Sequence, residues 1–347
     1  MRIPARVLAL GLVLPLALLG GHAAAAAKGS LTHGSYHQPG GLTRGYFLYT
    51  PAGLKAGRPI VMFLHGCNQT ASQAVVATRF AVLADREKIS VVFPEQVVST
   101  NSSAPVADGN GIGCWNWFLP GDQVRGSGEP AVLAGIAQSL TKRLKADRKR
   151  VYVEGISAGA AMSVILAATY SDVFAAAGSL AGCGYHTCGD PSGKLTYDAM
   201  GSRARVVPML IENGSADVLN PLPQSIGLSQ SWLGADDFAD DGSANGSVSR
   251  VPTQQTTFSP GVKGPASGDP CVHNNSFLCL GGILGLQDYP VTVSTWTHQG
   301  KDVMELWVVH GLAHAQPHAP SGEPYTDPLG PDMTKASWLF FSKHRLP

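Results

Sequence analysis

The stretch Arg150 to Met162, RVYVEGISAGAAM, sets a serine between two glycines in the spacing G-x-S-x-G, Gly155 to Gly159. Valine-rich residues precede the motif and small apolar residues follow at helical density, so the stretch reads as strand, tight turn and helix. A serine on such a turn holds its hydroxyl clear of the backbone, and the flanking glycines let neighbouring chain approach. The helix that begins there also points free N–H groups at the serine, which favours negative charge developing beside it. Ser157 is therefore the candidate nucleophile. In a chain with 41 glycines the bare pattern is unspecific, and the partners of the serine decide its meaning.

A serine hydroxyl needs a base to take its proton, and that base needs a carboxylate to hold its tautomer and steady its charged form. On a strand-turn-helix nucleophile the expected chain order is Ser, then acid, then His. Asp217 lies just past the apolar run VVPMLIEN, Val206 to Asn213, and is the candidate acid, with Asp236, Asp237, Asp240 and Asp241 as rivals. Three histidines follow the last apolar run, in ELWVVHGLAHAQPHAP. His310 abuts that strand and His318 sits among prolines. His314 lies one short loop further on, after Gly311, where a side chain can turn back over a sheet, and it is the candidate base. An oxyanion needs two donors: the Ala158 N–H that follows the serine, and one from a loop after an early strand, where the Cys67 N–H of Leu64 to Gln69 qualifies.

The elements that must position these groups alternate. Arg44 to Pro51 and Pro59 to Gly66 read as strands, Ser72 to Lys88 as a helix, and Ser90 to Pro94 as a short buried strand. Glu129 to Lys145 carries Leu133, Ile136, Leu140 and Leu144 on one helical face. After the serine motif come strands at Ala175 to Gly182, Val206 to Asn213, Val291 to Thr297 and Met304 to Val309. Such alternation predicts an α/β fold, a mainly parallel central sheet with helices on both faces and chemistry at the carboxyl ends of its strands. Residues 219–289, rich in Gly, Ser, Asp and Pro, read as an insertion over the sheet's edge or the active-site mouth. With no linker or internal repeat in view, residues 28–347 read as one catalytic domain.

Composition narrows the partners. The chain has 347 residues, 44% hydrophobic and 14% charged, with a net charge of +1, which is too neutral to recruit nucleic acid. Arg2 and Arg6 precede an apolar run from Val7 to Leu19 and then small residues, the pattern of a secretory signal over residues 1–27. This predicts a secreted protein, extracellular or periplasmic, and no membrane partner once the signal is removed. Export gives six cysteines a reading as disulfides. Spacing favours Cys183 with Cys188 and Cys271 with Cys279, leaving Cys67 for Cys114, although six cysteines allow many pairings. A Cys67–Cys114 bond would fix the oxyanion turn and bring Trp115 and Trp117 to the site as a surface for substrate.

Several motifs recur together and in order: LHGCNQTA at Leu64 to Ala71, PEQ at Pro94 to Gln96, CWNWF at Cys114 to Phe118, GEPAVLAG at Gly128 to Gly135, YVEGISAGAAM at Tyr152 to Met162, and GLAHA at Gly311 to Ala315. This set resembles the poly(3-hydroxybutyrate) depolymerase-type esterases, α/β-hydrolases whose relatives include feruloyl and acetylxylan esterases. Carried over by position, the resemblance implies Ser157 as nucleophile, Asp217 as acid, His314 as base, and the Cys67 and Ala158 amides as oxyanion donors. It implies a serine esterase that needs no metal or organic cofactor and acts on a short-chain polyhydroxyalkanoate polyester or its oligomers. A feruloyl or acetylxylan esterase acting on wall polysaccharide is the alternative, and a non-catalytic binding protein on the same fold is the third reading.

Overall fold

The computed structural model describes residues 28–98, 109–260, 288–320 and 322–347. The expected signal at 1–27 and the pairing of Cys271 with Cys279 lie outside the described residues. In chain order the elements are β1 (Ser30–His37), β2 (Thr43–Thr50), β3 (Ile60–Leu64), α1 (Ala71–Thr78), α2 (Phe80–Glu87), β4 (Ser90–Pro94) and α3 (Gly128–Arg143). Then follow β5 (Val151–Ile156), α4 (Ala158–Thr169), β6 (Ala176–Leu180), α5 (Lys194–Met200), β7 (Met209–Gly214) and α6 (Leu222–Asp241). The chain closes with β8 (Gln254–Phe258), β9 (Val291–His298), β10 (Lys301–Val309) and α7 (Met333–Phe341).

The strands form one sheet in the order β1-β2-β4-β3-β5-β6-β7-β10-β9-β8. The central run from β4 to β10 is parallel, and antiparallel pairs extend it at both edges. Central strands β3, β5, β6 and β7 are buried along their whole length, which is why they read as unbroken apolar runs rather than alternating ones. Their side chains feed two cores. Met62, Leu64, Val153 and Ile211 pack with Leu133, Met162, Leu166 and Trp232 on one face. Val61, Phe63, Tyr152 and Leu210 pack with Phe80, Leu83, Phe340 and Phe341 on the other. Helices thus cover both faces, and α4, apolar all round, is buried at every residue.

Three features differ from the sequence reading. The single helix expected over 72–88 is two, because Arg79 adopts a left-handed conformation (φ 56°) between α1 and α2. A capping box of Thr70 and Gln73 starts α1 one turn before the apolar pattern becomes visible. Of residues 219–289, read as an insertion, 219–260 and 288–289 are described, and they carry regular elements that the composition did not suggest. Their first part is α6, whose Trp232 is fully buried and donates its indole N–H to the Val207 carbonyl at 2.8 Å, and β8 then adds an exposed strand beyond β9. Strand β1 and helix α7 had no counterpart in the sequence reading. The first is largely exposed and carries no apolar run, and the second is short. The bonds Cys67–Cys114 and Cys183–Cys188 form as the spacing predicts. Among the described residues no helix is long and apolar enough to cross a membrane.

Candidate active site

Ser157 sits between β5 and α4 at φ 58° and ψ −121°, a backbone conformation that costs a non-glycine residue strain. Its N–H donates to the Leu180 carbonyl of β6 at 2.9 Å, which pins the turn to the neighbouring strand. Both motif glycines are required by close approach. A Cβ on Gly159 would stand 2.1 Å from the Leu64 carbonyl oxygen, and one on Gly155 would stand 2.4 Å from the Gly159 backbone. The turn therefore packs directly under the end of β3, beside the next loop of the site.

That loop, His65 to Gln69, is held from several sides. Gln96 donates its backbone N–H to His65 Nε2 at 3.1 Å, so the ring proton is on Nδ1, 2.8 Å from the Gly66 carbonyl. Burial pushes His65 down to about 4, in keeping with a neutral ring that receives one bond and gives one. The Gly66 N–H donates to Gln69 Oε1 at 2.7 Å, and the Asn68 N–H to the Ile112 carbonyl at 2.8 Å. A disulfide fastens Cys67 to Cys114. Cys67 lines a cavity of about 210 Å³ together with Gly66, Gln69, Ser157, His314 and Tyr325, among others, and Ala158 directly follows Ser157 in the chain.

The loops after β7 and β10 are zipped together. Ser215 and Ala216 donate their N–H groups to the carbonyls of Val309 and Leu312 at 2.9 and 3.0 Å, and the Gly311 N–H donates to Ser215 Oγ at 2.9 Å. Gly214 has to be glycine, since a Cβ there would lie 2.1 Å from the Leu312 oxygen. This packing brings His314 Nδ1 to 2.7 Å from Asp217 Oδ2, with the carboxyl group fully buried. Asp217 Oδ1 accepts the N–H groups of Leu219 and Asn220, each at 2.8 Å, so the carboxyl plane is held on both sides. The rivals are engaged elsewhere. His310 contacts Thr292, and His318 lies 4.0 Å from Asp332. Asp236 accepts from Val207, Asp237 from the 246–248 turn, Asp240 contacts His298, and Asp241 accepts from Ser243.

One expectation needs correcting. Trp115 cannot offer a face to substrate, because it is fully buried and gives its indole N–H to the His65 carbonyl at 3.0 Å. It braces the turn from beneath. Trp117 is half-buried, packs edge-on against Phe118 and is not among the residues that line the cavity. The aromatic beside the histidine is Tyr325, edge-on to His314 at 5.8 Å and itself in a left-handed conformation (φ 57°).

Sequence reading also gave no role to a polar cluster beneath the site. Glu129 pairs with Arg44 at 3.1 Å, accepts the Asn116 N–H at 2.7 Å and bonds Gln96, whose amide also reaches the Cys114 carbonyl at 2.7 Å. Burial raises the Glu129 carboxyl to about 7, and its donors pull the other way. Gln96 and Glu129 stand within the PEQ and GEP motifs, so a signal for them was present without a role attached.

Comparisons with known proteins point to one family of esterases. The family profile described as esterase PHB depolymerase covers residues 44–225. Poly(3-hydroxyalkanoate) depolymerase C of Paucimonas lemoignei is 30% identical over 289 residues, which is 79% of this chain and 59% of that protein. Acetylxylan esterase A of Emericella nidulans is 31% identical over 146 residues, 41% of this chain and 44% of that protein. The chain thus spans less than two thirds of the length of these curated relatives. In fold, an acetyl xylan esterase from Aspergillus awamori is similar with a TM-score of 0.60, over 90% of this chain and 99% of that one at 18% identity.

Proposed function

Because the chain belongs to the esterase PHB depolymerase family, we propose that it is a secreted serine esterase that cleaves short-chain polyhydroxyalkanoate polyester or its oligomers through an acyl-enzyme. The observation that carries the reading is the buried contact of Asp217 with His314 at the cavity that Ser157 also lines. With the Nδ1 hydrogen held by Asp217, Nε2 is the nitrogen left to act as base. It takes the Ser157 proton as Oγ attacks the ester carbonyl, and the Cys67 and Ala158 amides receive the charge that gathers on the carbonyl oxygen. Collapse of the tetrahedral intermediate breaks the bond to the leaving alkoxide, which His314 protonates. Water then gives a proton to His314 as its oxygen attacks the acyl carbonyl, and His314 returns that proton to Ser157 Oγ as the C–Oγ bond breaks and the acid leaves.

The long match to a polyhydroxyalkanoate depolymerase supports the polyester reading. A second reading, removal of acetyl groups from xylan, is favoured by the acetylxylan esterase relative and by a cavity of about 210 Å³, a size suited to a short acyl group. Export is supported by two disulfides, which persist in an oxidising compartment. Side-by-side release from 3-hydroxybutyrate oligomers and film, acetylxylan and feruloylated arabinoxylan tests the assignment, with Ser157→Ala as the blank. Acid release from the hydroxybutyrate substrates is expected to dominate. Release of acetate or ferulate without any hydroxyacid would replace the polyester reading.

A further inference from the structure

A second cavity lies at the far end of β5 from Ser157. Val151, the first residue of that strand, lines a cavity of about 770 Å³, while Ser157 follows its last residue. Lys142, Lys145, Arg148, Lys149, Arg203 and Arg205 line the same cavity, and among the described residues none of the six is in an ion pair. Asp172, the acidic side chain among the lining residues, is taken by Arg125 at 2.6 and 3.0 Å. In a chain whose 25 cations are balanced by 24 anions, this is a strong local excess of positive charge that attracts anions.

Exposure sorts the lining: Lys142, Lys145 and Arg148 are exposed and make a charged rim, while the apolar residues are buried or half-buried and make a floor. Arg205 is a wall, since its guanidinium is used by the carbonyls of Ser171, Phe174, Ala175 and Val206. Arg203 differs: its Nε is buried and has no hydrogen-bond partner. A buried donor of this kind costs free energy until something accepts from it. The floor is apolar, made of Ala146, Val151, Val173, Ala204 and Leu346. A small inorganic anion would satisfy the rim and leave that floor wet, and a neutral hydrocarbon would do the reverse.

We propose that this cavity binds an amphiphilic carboxylate, an aliphatic chain seated on the apolar floor with its anionic head among the cations of the rim. The volume falls within the range of small-molecule sites, and long basic side chains can bury their stems along such a chain while keeping their charges on its head. The proposal is independent of the esterase reading, because the cavity contains none of the residues around Ser157.

Calorimetric titration of the full chain with decanoate tests it, with 1-decanol and acetate as single-feature controls. Decanoate is expected to bind one site more tightly than either control. Its affinity should fall about tenfold or more in Lys145→Glu/Arg148→Glu and weaken with added salt, as an electrostatic rim requires. Ala204→Trp should block binding by filling the floor. Thermal melts of both variants confirm folding, and their ester hydrolysis should match that of the unsubstituted chain. Absence of decanoate binding would overturn the proposal, as would equal affinity for decanol or acetate. So would a decanoate affinity unchanged in both folded variants, which would place the ligand elsewhere.

Discussion

At the scale of single residues, the proposed chemistry rests on three side chains whose loss should not unfold the protein. Ser157→Ala is expected to fold and to lose ester hydrolysis by about a thousandfold or more, leaving what binding and the oxyanion donors supply. His314→Ala should be equally damaging. His310→Ala and His318→Ala should stay close to normal turnover, since their rings contact Thr292 and Asp332 rather than Asp217. Initial rates on a p-nitrophenyl ester decide this, and an inactive His310→Ala with an active His314→Ala would reverse the assignment of the base. His65 makes a different prediction. Burial pulls it from 6.5 to about 4, so between these values the unfolded chain takes a proton that the folded ring refuses. Its contribution is full above the unfolded value and is lost as pH falls towards about 4, at roughly 1.4 kcal/mol per pH unit. Melting temperatures at pH 7 and 4.5 should therefore differ less in His65→Gln than in the unsubstituted chain. His344, also pushed down to about 4, retains part of the slope. Glu129 and Glu154, raised by burial to about 7 and about 8, act in the opposite sense, losing stability as pH rises above the ordinary glutamate value.

At the scale of elements, the proposed oxyanion turn and the loop over His314 form one unit through Gln69. Its Oε1 accepts the Gly66 N–H at 2.7 Å, and its Nε2 donates to the Pro324 carbonyl at 2.8 Å, next to Tyr325. Gln69→Ala should loosen both loops together and lower kcat about tenfold to a hundredfold, with a smaller change in KM, because the turn it steadies through Gly66 carries the proposed Cys67 donor to the transition state. Gln69→Glu keeps the acceptor for Gly66, loses the donor to Pro324, and is expected to fall between the two. Equal kcat in all three proteins would make Gln69 a passive wall. The Cys67–Cys114 bond closes a separation of 47 residues and should contribute about 2–4 kcal/mol by restricting the unfolded chain. Cys114→Ser should show this as a lower denaturation midpoint, and a drop in kcat of the folded fraction would show that the bond also positions the Cys67 amide.

At the scale of the whole molecule, the sheet holds the site only because both of its faces are covered. Helix α7 closes one of them. Phe341 is fully buried and stacks on Tyr152 at 5.3 Å, and Tyr152 in turn donates to the His344 carbonyl at 2.8 Å. Phe341→Ala leaves a cavity under β5 and should cost about 3–5 kcal/mol. Urea denaturation measures the loss, and kcat per folded molecule should stay near normal, because Tyr152, on which Phe341 stacks, lies near the start of β5 and Ser157 follows its end.

The sequence alone determined the features whose causes are local. The glycines around Ser157 are needed within two residues of it, buried strands announce themselves as apolar runs, and neighbouring cysteines such as Cys183 and Cys188 close on each other. It also narrowed the proposed acid and base to short loops after strand ends, where a parallel sheet gathers its chemistry. The tertiary structure decided what depends on residues far apart in the chain. Asp217 meets His314 because Gly214 lets the Leu312 backbone pass above it. Trp115 turns inward because the His65 carbonyl needs its N–H, a contact that no spacing in CWNWF reveals. Gln69 reaches across 255 residues to Pro324, and Glu129 reaches 85 to Arg44. A side chain's burial and partners are set by what packs over it, and that neighbour comes from another part of the chain.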